Sequence, residues 1–65
     1  MREFLHPQGV RVRVRQGSFP IDSSLLGREG IVFRLDPYRL GRYVVLLDGE
    51  SETREFAEDE MERAG

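Results

Sequence analysis

The chain has no cysteine, no lysine and a single histidine, His6, and each shortage removes a class of function. Without cysteine there is no disulfide framework and no thiolate zinc site, although small domains are the ones that most need such staples. One histidine provides no pair of imidazoles for a metal, and Asp48-Gly49-Glu50 lacks the ligand series of a calcium loop. No metal or other cofactor is expected. Missing too is any apolar run near the roughly 20 residues that a membrane-spanning helix needs. The start Met1-Arg2-Glu3-Phe4-Leu5-His6-Pro7 lacks the long apolar region of a signal peptide. These absences suggest a soluble, unprocessed protein, and the lack of cysteine fits a cytoplasmic or other reducing compartment. All ten basic residues are arginine, which reads as compositional bias and carries no functional weight.

What is present is β structure. Sixty-five residues make one domain, and at this size folding buries only about 60% of the surface of the unfolded chain, so the core must be closed and well packed. Val10-Arg11-Val12-Arg13-Val14-Arg15 alternates strictly, which places the valines on a core face and the arginines on a solvent face of a first strand. Ser18-Phe19-Pro20-Ile21-Asp22-Ser23-Ser24 reads as a loop, because Pro20 cannot donate to a ladder and Asp22 with the serines offers local side-chain bonding. Leu25 and Leu26 are expected to return the chain to the core. Gly27 and Gly30 then frame a tight turn that aims Ile31 and Val32 into the core, with Gly30 as a position for positive φ.

The second strand covers residues 31–35 and stops at Asp36-Pro37. Its inward face is ambiguous: Ile31, Phe33 and Leu35 give the cleaner alternation, whereas the spacing from the glycines favours Val32, and a bulge would reconcile the two. Residues 38–42 form a connecting tip. Tyr43-Val44-Val45-Leu46-Leu47 is apolar on both parities, as in a strand covered on both faces. Asp48-Gly49 predicts a two-residue type I′ hairpin, with the returning strand over residues 51–56. Residues 57–60 suit a single 3₁₀ turn, after which Met61-Glu62-Arg63 closes against the first strand. The expected architecture is an all-β, five-stranded barrel over residues 1–65, with residues 1–8 as a mobile lead-in.

Catalytic chemistry finds little support. The serines are scattered, His6 lies in the lead-in, and the carboxylates of Glu58, Asp59, Glu60 and Glu62 sit on an acidic turn rather than in a concave site that would separate their pKa values. Gly27-Arg28-Glu29-Gly30 is followed by a strand, whereas a phosphate-binding loop opens a helix. We therefore expect no enzyme and no small-molecule substrate.

Charge is uneven along the chain: residues 1–43 hold eight arginines and four acids, residues 44–65 two arginines and eight acids. The row Arg11, Arg13, Arg15 could track phosphates, or it could be a solvated face paired across the sheet with Glu52 or Glu62. Phe19, Pro20 and Ile21 put apolar side chains in one loop and Tyr38 in another. Either they plug an end of the barrel or they form a protein-docking patch.

Three stretches carry a resemblance over nearly the whole chain: Gly9-Val10-Arg11-Val12, Leu26-Gly27-Arg28-Glu29-Gly30-Ile31-Val32 and Tyr43-Val44-Val45-Leu46-Leu47. Together they look like the SH3-like small barrels, including the KOW group. With the ending Phe56-Ala57-Glu58-Asp59-Glu60-Met61-Glu62, the pattern resembles the PetP-type small subunits of cyanobacterial photosynthetic electron-transfer complexes, whose architecture photosystem I's PsaE and the variable chain of ferredoxin-thioredoxin reductase share. That resemblance implies a non-catalytic, cytoplasmic accessory subunit docking on a larger protein complex, peripheral on the cytoplasmic face of a membrane and associated with it only through that protein partner. The residues that would dock are Phe19, Pro20, Ile21, Tyr38, Arg11, Arg13 and Arg15. The KOW resemblance implies instead an RNA- or ribosome-associated domain, although a KOW motif has a shorter path to its second glycine than the loop over residues 18–26.

Overall fold

Alternation of valine with arginine commits β1 (Arg11–Val14) to one buried and one solvent face, and the rest of the sheet is built on that division. The computed structural model describes residues 7–36, 38–39 and 41–64. It is all-β, with β1 followed by β2 (Glu29–Leu35), β3 (Arg42–Leu47), β4 (Arg54–Ala57) and β5 (Met61–Arg63). Short 3₁₀ turns cover Ser23–Leu25 and Glu58–Glu60. All strand pairs are antiparallel, in the order β4-β3-β2-β1-β5. The closing strand meets β1 as the sequence suggests, with Val14 opposite Met61. Residues 1–6 of the lead-in, with His6, and Leu40 of the tip lie outside the described residues.

A single core gathers side chains from every strand: Val12 and Val14, Val32, then Tyr43, Val45 and Leu47, with Phe56 and Met61 from the two edge strands. Val10, Ile21, Leu25 and Leu35 pack against it from the periphery. Edge strands β4 and β5 both contribute to this cluster, and no pairing between them is found among the described residues.

The ambiguity of β2 resolves through an extra residue. Val32 pairs with Val45 and is fully buried, the register then shifts, and Arg34 pairs with Val44 and Leu35 with Tyr43. Phe33 is the residue without a counterpart, so Val32 and Leu35 both face the core although they are three apart. Ile31 is correspondingly not aimed inward: it is 42% exposed, because its inward neighbours are Gly30 and Val32. Leu26 also fails to return to the core and is 40% exposed, leaving Leu25 to pack there.

Gly30 is not a turn residue. It lies inside β2, carries no positive φ, and is buried where a Cβ would collide with the Leu46 carbonyl oxygen and come within 2.7 Å of Leu47 Cα. The positive φ before this strand belongs to Gly27, at 82°.

The β3–β4 connection differs from a two-residue hairpin. Only Gly49 has positive φ, 85°, and the Glu50 N–H donates to the Leu47 carbonyl at 3.0 Å, the pattern of a type II turn. Asp48 cannot fold straight back, because its N–H still donates to Glu29 O at 2.9 Å and continues the ladder with β2. Pairing with β3 therefore starts only at Arg54 and runs through Ala57. No helix among the described residues is long and apolar enough to cross a membrane.

Candidate docking surface

The excursion from the end of β1 to the start of β2 is held at both ends and anchored between them. At the outgoing end, Gly17 passes so close to Asp59 that a Cβ would lie 2.7 Å from its carboxyl carbon. Ser18 then donates twice to Asp59 Oδ2, from its backbone N–H at 2.9 Å and from its hydroxyl at 2.7 Å. These bonds, the hydroxyl's first, hold the Asp59 carboxyl below the usual carboxylate range. Arg15 adds a backbone bond to Glu60 O at 2.9 Å and a guanidinium bond from Nε to Asp59 O at 3.1 Å.

At the incoming end Asp22 Oδ1 accepts from the Ser24 N–H and hydroxyl, each at 2.9 Å, and caps the first 3₁₀ turn. Those bonds, the backbone one first, lower the Asp22 pKa. The Gly27 N–H rejoins Val14 O at 2.9 Å. Ile21 and Leu25 meanwhile press on the core. Between these fixings stands Phe19, 77% exposed, with exposed Pro20 beside it. The two roles open to this loop are thus divided among its residues: Ile21 plugs, Phe19 and Pro20 project.

The arginine row behaves differently from a phosphate track. Arg11 meets Asp48 at 2.5 Å and Glu29 at 3.4 Å, and Arg13 meets Glu29 at 3.2 Å. Arg28 continues the array to Asp48 O at 3.2 Å and Glu50 at 3.7 Å, and Glu50 holds Arg54 at 2.8 Å. Carboxylates and guanidiniums thus alternate over this face. The Arg11 bond is the main reason that the Asp48 pKa is lowered, and the Arg54 bond does the same for Glu50. The expected partners Glu52 and Glu62 give way to Glu29 and Asp48: Arg13 stands opposite both Glu29 of β2 and Glu62 of β5 and bonds to Glu29, and the ladder carries Asp48 past the end of β3 to Arg11.

Tyr38 is 94% exposed on the connection after β2, its N–H donating to Asp36 Oδ1 at 2.8 Å. It stands apart from Phe19, since the two connections leave opposite ends of a seven-residue strand, a span of about 20 Å. The candidate residues thus form three places: the Phe19 loop with Arg15 at its base, the neutralised Arg11 and Arg13 face, and the Tyr38 tip. Elsewhere, a cavity of about 430 Å³ is lined, among the described residues, by the β3–β4 loop and the first residue of β4, residues 49–54.

Asp59 as the fixing of the Phe19 loop is not visible in the sequence, where it belongs to an acidic turn; its contact spans 41 positions. Asp22 is visible, because the Asp-x-Ser spacing is a local capping signal. No protein family, no curated protein and no solved structure matches this chain.

Proposed function

We propose that this chain is a non-enzymatic docking module that binds a larger protein assembly through the loop carrying Phe19 and Pro20. The observation that carries this reading is an exposed phenylalanine on a loop fixed at both ends, by Asp59 at Ser18 and by Asp22 at Ser24. A loop whose backbone is already fixed at both ends loses less conformational entropy on binding than a free one, and an aromatic side chain adds large contact area with few rotors. Arg15 at the base of the loop adds a cation beside the contact, Ile21 supports it from below, and Tyr38 offers a second contact to a partner large enough to span β2.

The finer reading, suggested by the resemblance to PetP-type subunits, is an accessory subunit of a photosynthetic electron-transfer complex, cytoplasmic and membrane-associated only through that complex. The competing RNA reading draws on Arg11, Arg13 and Arg15, and the carboxylates already bound to Arg11 and Arg13 weigh against it.

The test is co-purification of the tagged chain from its native cells at endogenous level. A stoichiometric multisubunit assembly is expected with the wild type and its loss with Phe19→Ser, a change at an exposed site that leaves the melt unaltered. Recovery of the chain free of other proteins, or an assembly indifferent to Phe19, Arg15 and Tyr38 substitution, overturns the reading.

A further inference from the structure

The sheet has a second apolar surface, on the side away from the core. By register Arg11, Ile31 and Leu46 form one row across β1, β2 and β3, and Arg34, Val44 and Glu55 form the next across β2, β3 and β4. These positions alternate with the core residues Val12, Val32, Val45 and Phe56, so they occupy the outer face. Val44 is only 8% exposed yet stands outside the core cluster, Leu46 is half-buried, and Ile31 and Phe33 are open to water.

Charge is arranged around this patch in a particular order. Along β2 the sequence runs Glu29, Ile31, Phe33, Arg34, an apolar centre with an acid at one end and a base at the other. Glu29 keeps 37% of its side chain exposed beyond its bonds to Arg11 and Arg13, and a carboxylate offers about four acceptor positions. Arg34 is exposed and has no ion pair among the described residues. A strand bracketed by opposite charges is complementary to its own copy turned end for end, the condition that a two-fold interface imposes.

We propose that this face is the contact of a two-fold homodimer, in which β2 lies across β2 of a second copy, Ile31 meets the partner's Ile31, and Arg34 faces the partner's Glu29. The exposed apolar part of the patch rests on two side chains, Ile31 and Phe33, so the dimer is weak, with a Kd in the micromolar range or above. Phe19 and Tyr38 are not among the residues this contact uses, although a partner that spans β2 to reach both would compete with it.

Sedimentation velocity of the full chain, from about 5 to about 500 µM at about 0.1 M salt, should show the mean mass rising toward that of a dimer and stopping there. Ile31→Ser with Phe33→Ser should remain monomeric with an unchanged circular-dichroism melt. Charge reversal supplies the sharper arm: Arg34→Glu alone and Glu29→Arg alone should each associate less than wild type, whereas their mixture should form a heterodimer, since both contacts are then complementary. If Glu29→Arg unfolds, Arg34→Glu with its melt as control carries the test. A wild type that stays monomeric at the highest concentration, association that continues past a dimer, or a dimer insensitive to Ile31, Phe33 and Arg34 overturns the proposal.

Discussion

Asp59 and Ser18, 41 positions apart in the chain, share two hydrogen bonds, of 2.9 and 2.7 Å, that tie the loop after β1 to the 3₁₀ turn before β5. The tie joins the connection carrying Phe19 to the segment that closes the sheet, so the orientation of an exposed side chain depends on a distant carboxylate.

That dependence has a pH signature. Asp59, Asp22, Asp48 and Glu50 all have pKa values lowered in the folded protein, by Ser18, Ser24, Arg11 and Arg54 respectively. A carboxyl with a depressed folded pKa stabilises fully above its unfolded value, and the contribution is lost as pH falls through the folded one. The thermal midpoint should therefore be flat near neutrality and decline from about pH 5 downward. Asp59→Asn should fold at pH 7 with faster amide hydrogen exchange at Ser18, and its exchange there should respond less to acid than that of the wild type. Equal acid response in both proteins contradicts the role given to this carboxylate.

Gly30 and Gly27 fail for different reasons when substituted. Gly30→Ala drives a methyl group into the backbone of Leu46 and Leu47, which belongs to the neighbouring strand and has no rotamer to escape by. It should abolish the cooperative melt. Gly27→Ala meets nothing within 4 Å and bears only the positive-φ penalty, about 1–2 kcal/mol, so it should fold with a lower midpoint.

Much of the strand layout was legible: period-two patterning marks β1, the brief acidic stretch between Phe56 and Met61 marks the 3₁₀ turn, and the pairing of β5 with β1, although non-local, follows from the need of so small a core to be closed. The expectations that failed depend on non-local contacts. Gly30 is demanded by the backbone of β3 across the sheet, Asp48 by Glu29 and Arg11, and the late start of β4 by the ladder that Asp48 prolongs. For the docking surface, the exposure of Phe19 was one of two readings open to the sequence, and the Asp59 fixing was invisible because hydrogen-bond partners remote in the chain leave no periodic trace.

Tyr43 is fully buried, yet its hydroxyl donates to Glu58 Oε1 at 2.7 Å. The bond links β3 to the second 3₁₀ turn and lets a phenol sit within an aliphatic core. Tyr43→Phe keeps the packing and removes the donor to a carboxylate, so urea unfolding should show a loss of about 1.5–3 kcal/mol with little change in slope.

The ion-pair array on the outer face predicts weak nucleic-acid binding. Because Arg11 and Arg13 already face Glu29 and Asp48, few counterions remain for them to release from RNA. Fluorescence anisotropy with a labelled single-stranded RNA should show no salt-sensitive binding near physiological ionic strength. Tight binding that weakens steeply with salt and disappears on changing Arg11, Arg13 and Arg15 to Glu would restore the RNA reading.

The bulge at Phe33 leads to an unusual deletion experiment. With Phe33 present, Val32 and Leu35 both face inward because one residue is left without a counterpart on β3. Removing Phe33 leaves Val32, Arg34 and Leu35 opposite Val45, Val44 and Tyr43, a regular alternation with every core pair preserved. Deletion of Phe33 should therefore yield a protein that still melts cooperatively, with the strand straightened and one exposed aromatic lost. Deletion of Ile31 offers the contrast, since it displaces either the Gly30–Leu47 or the Val32–Val45 pair by one position and turns core residues toward water. That variant should lose its cooperative melt, and if the two deletions behave alike the assignment of Phe33 as the extra residue is wrong.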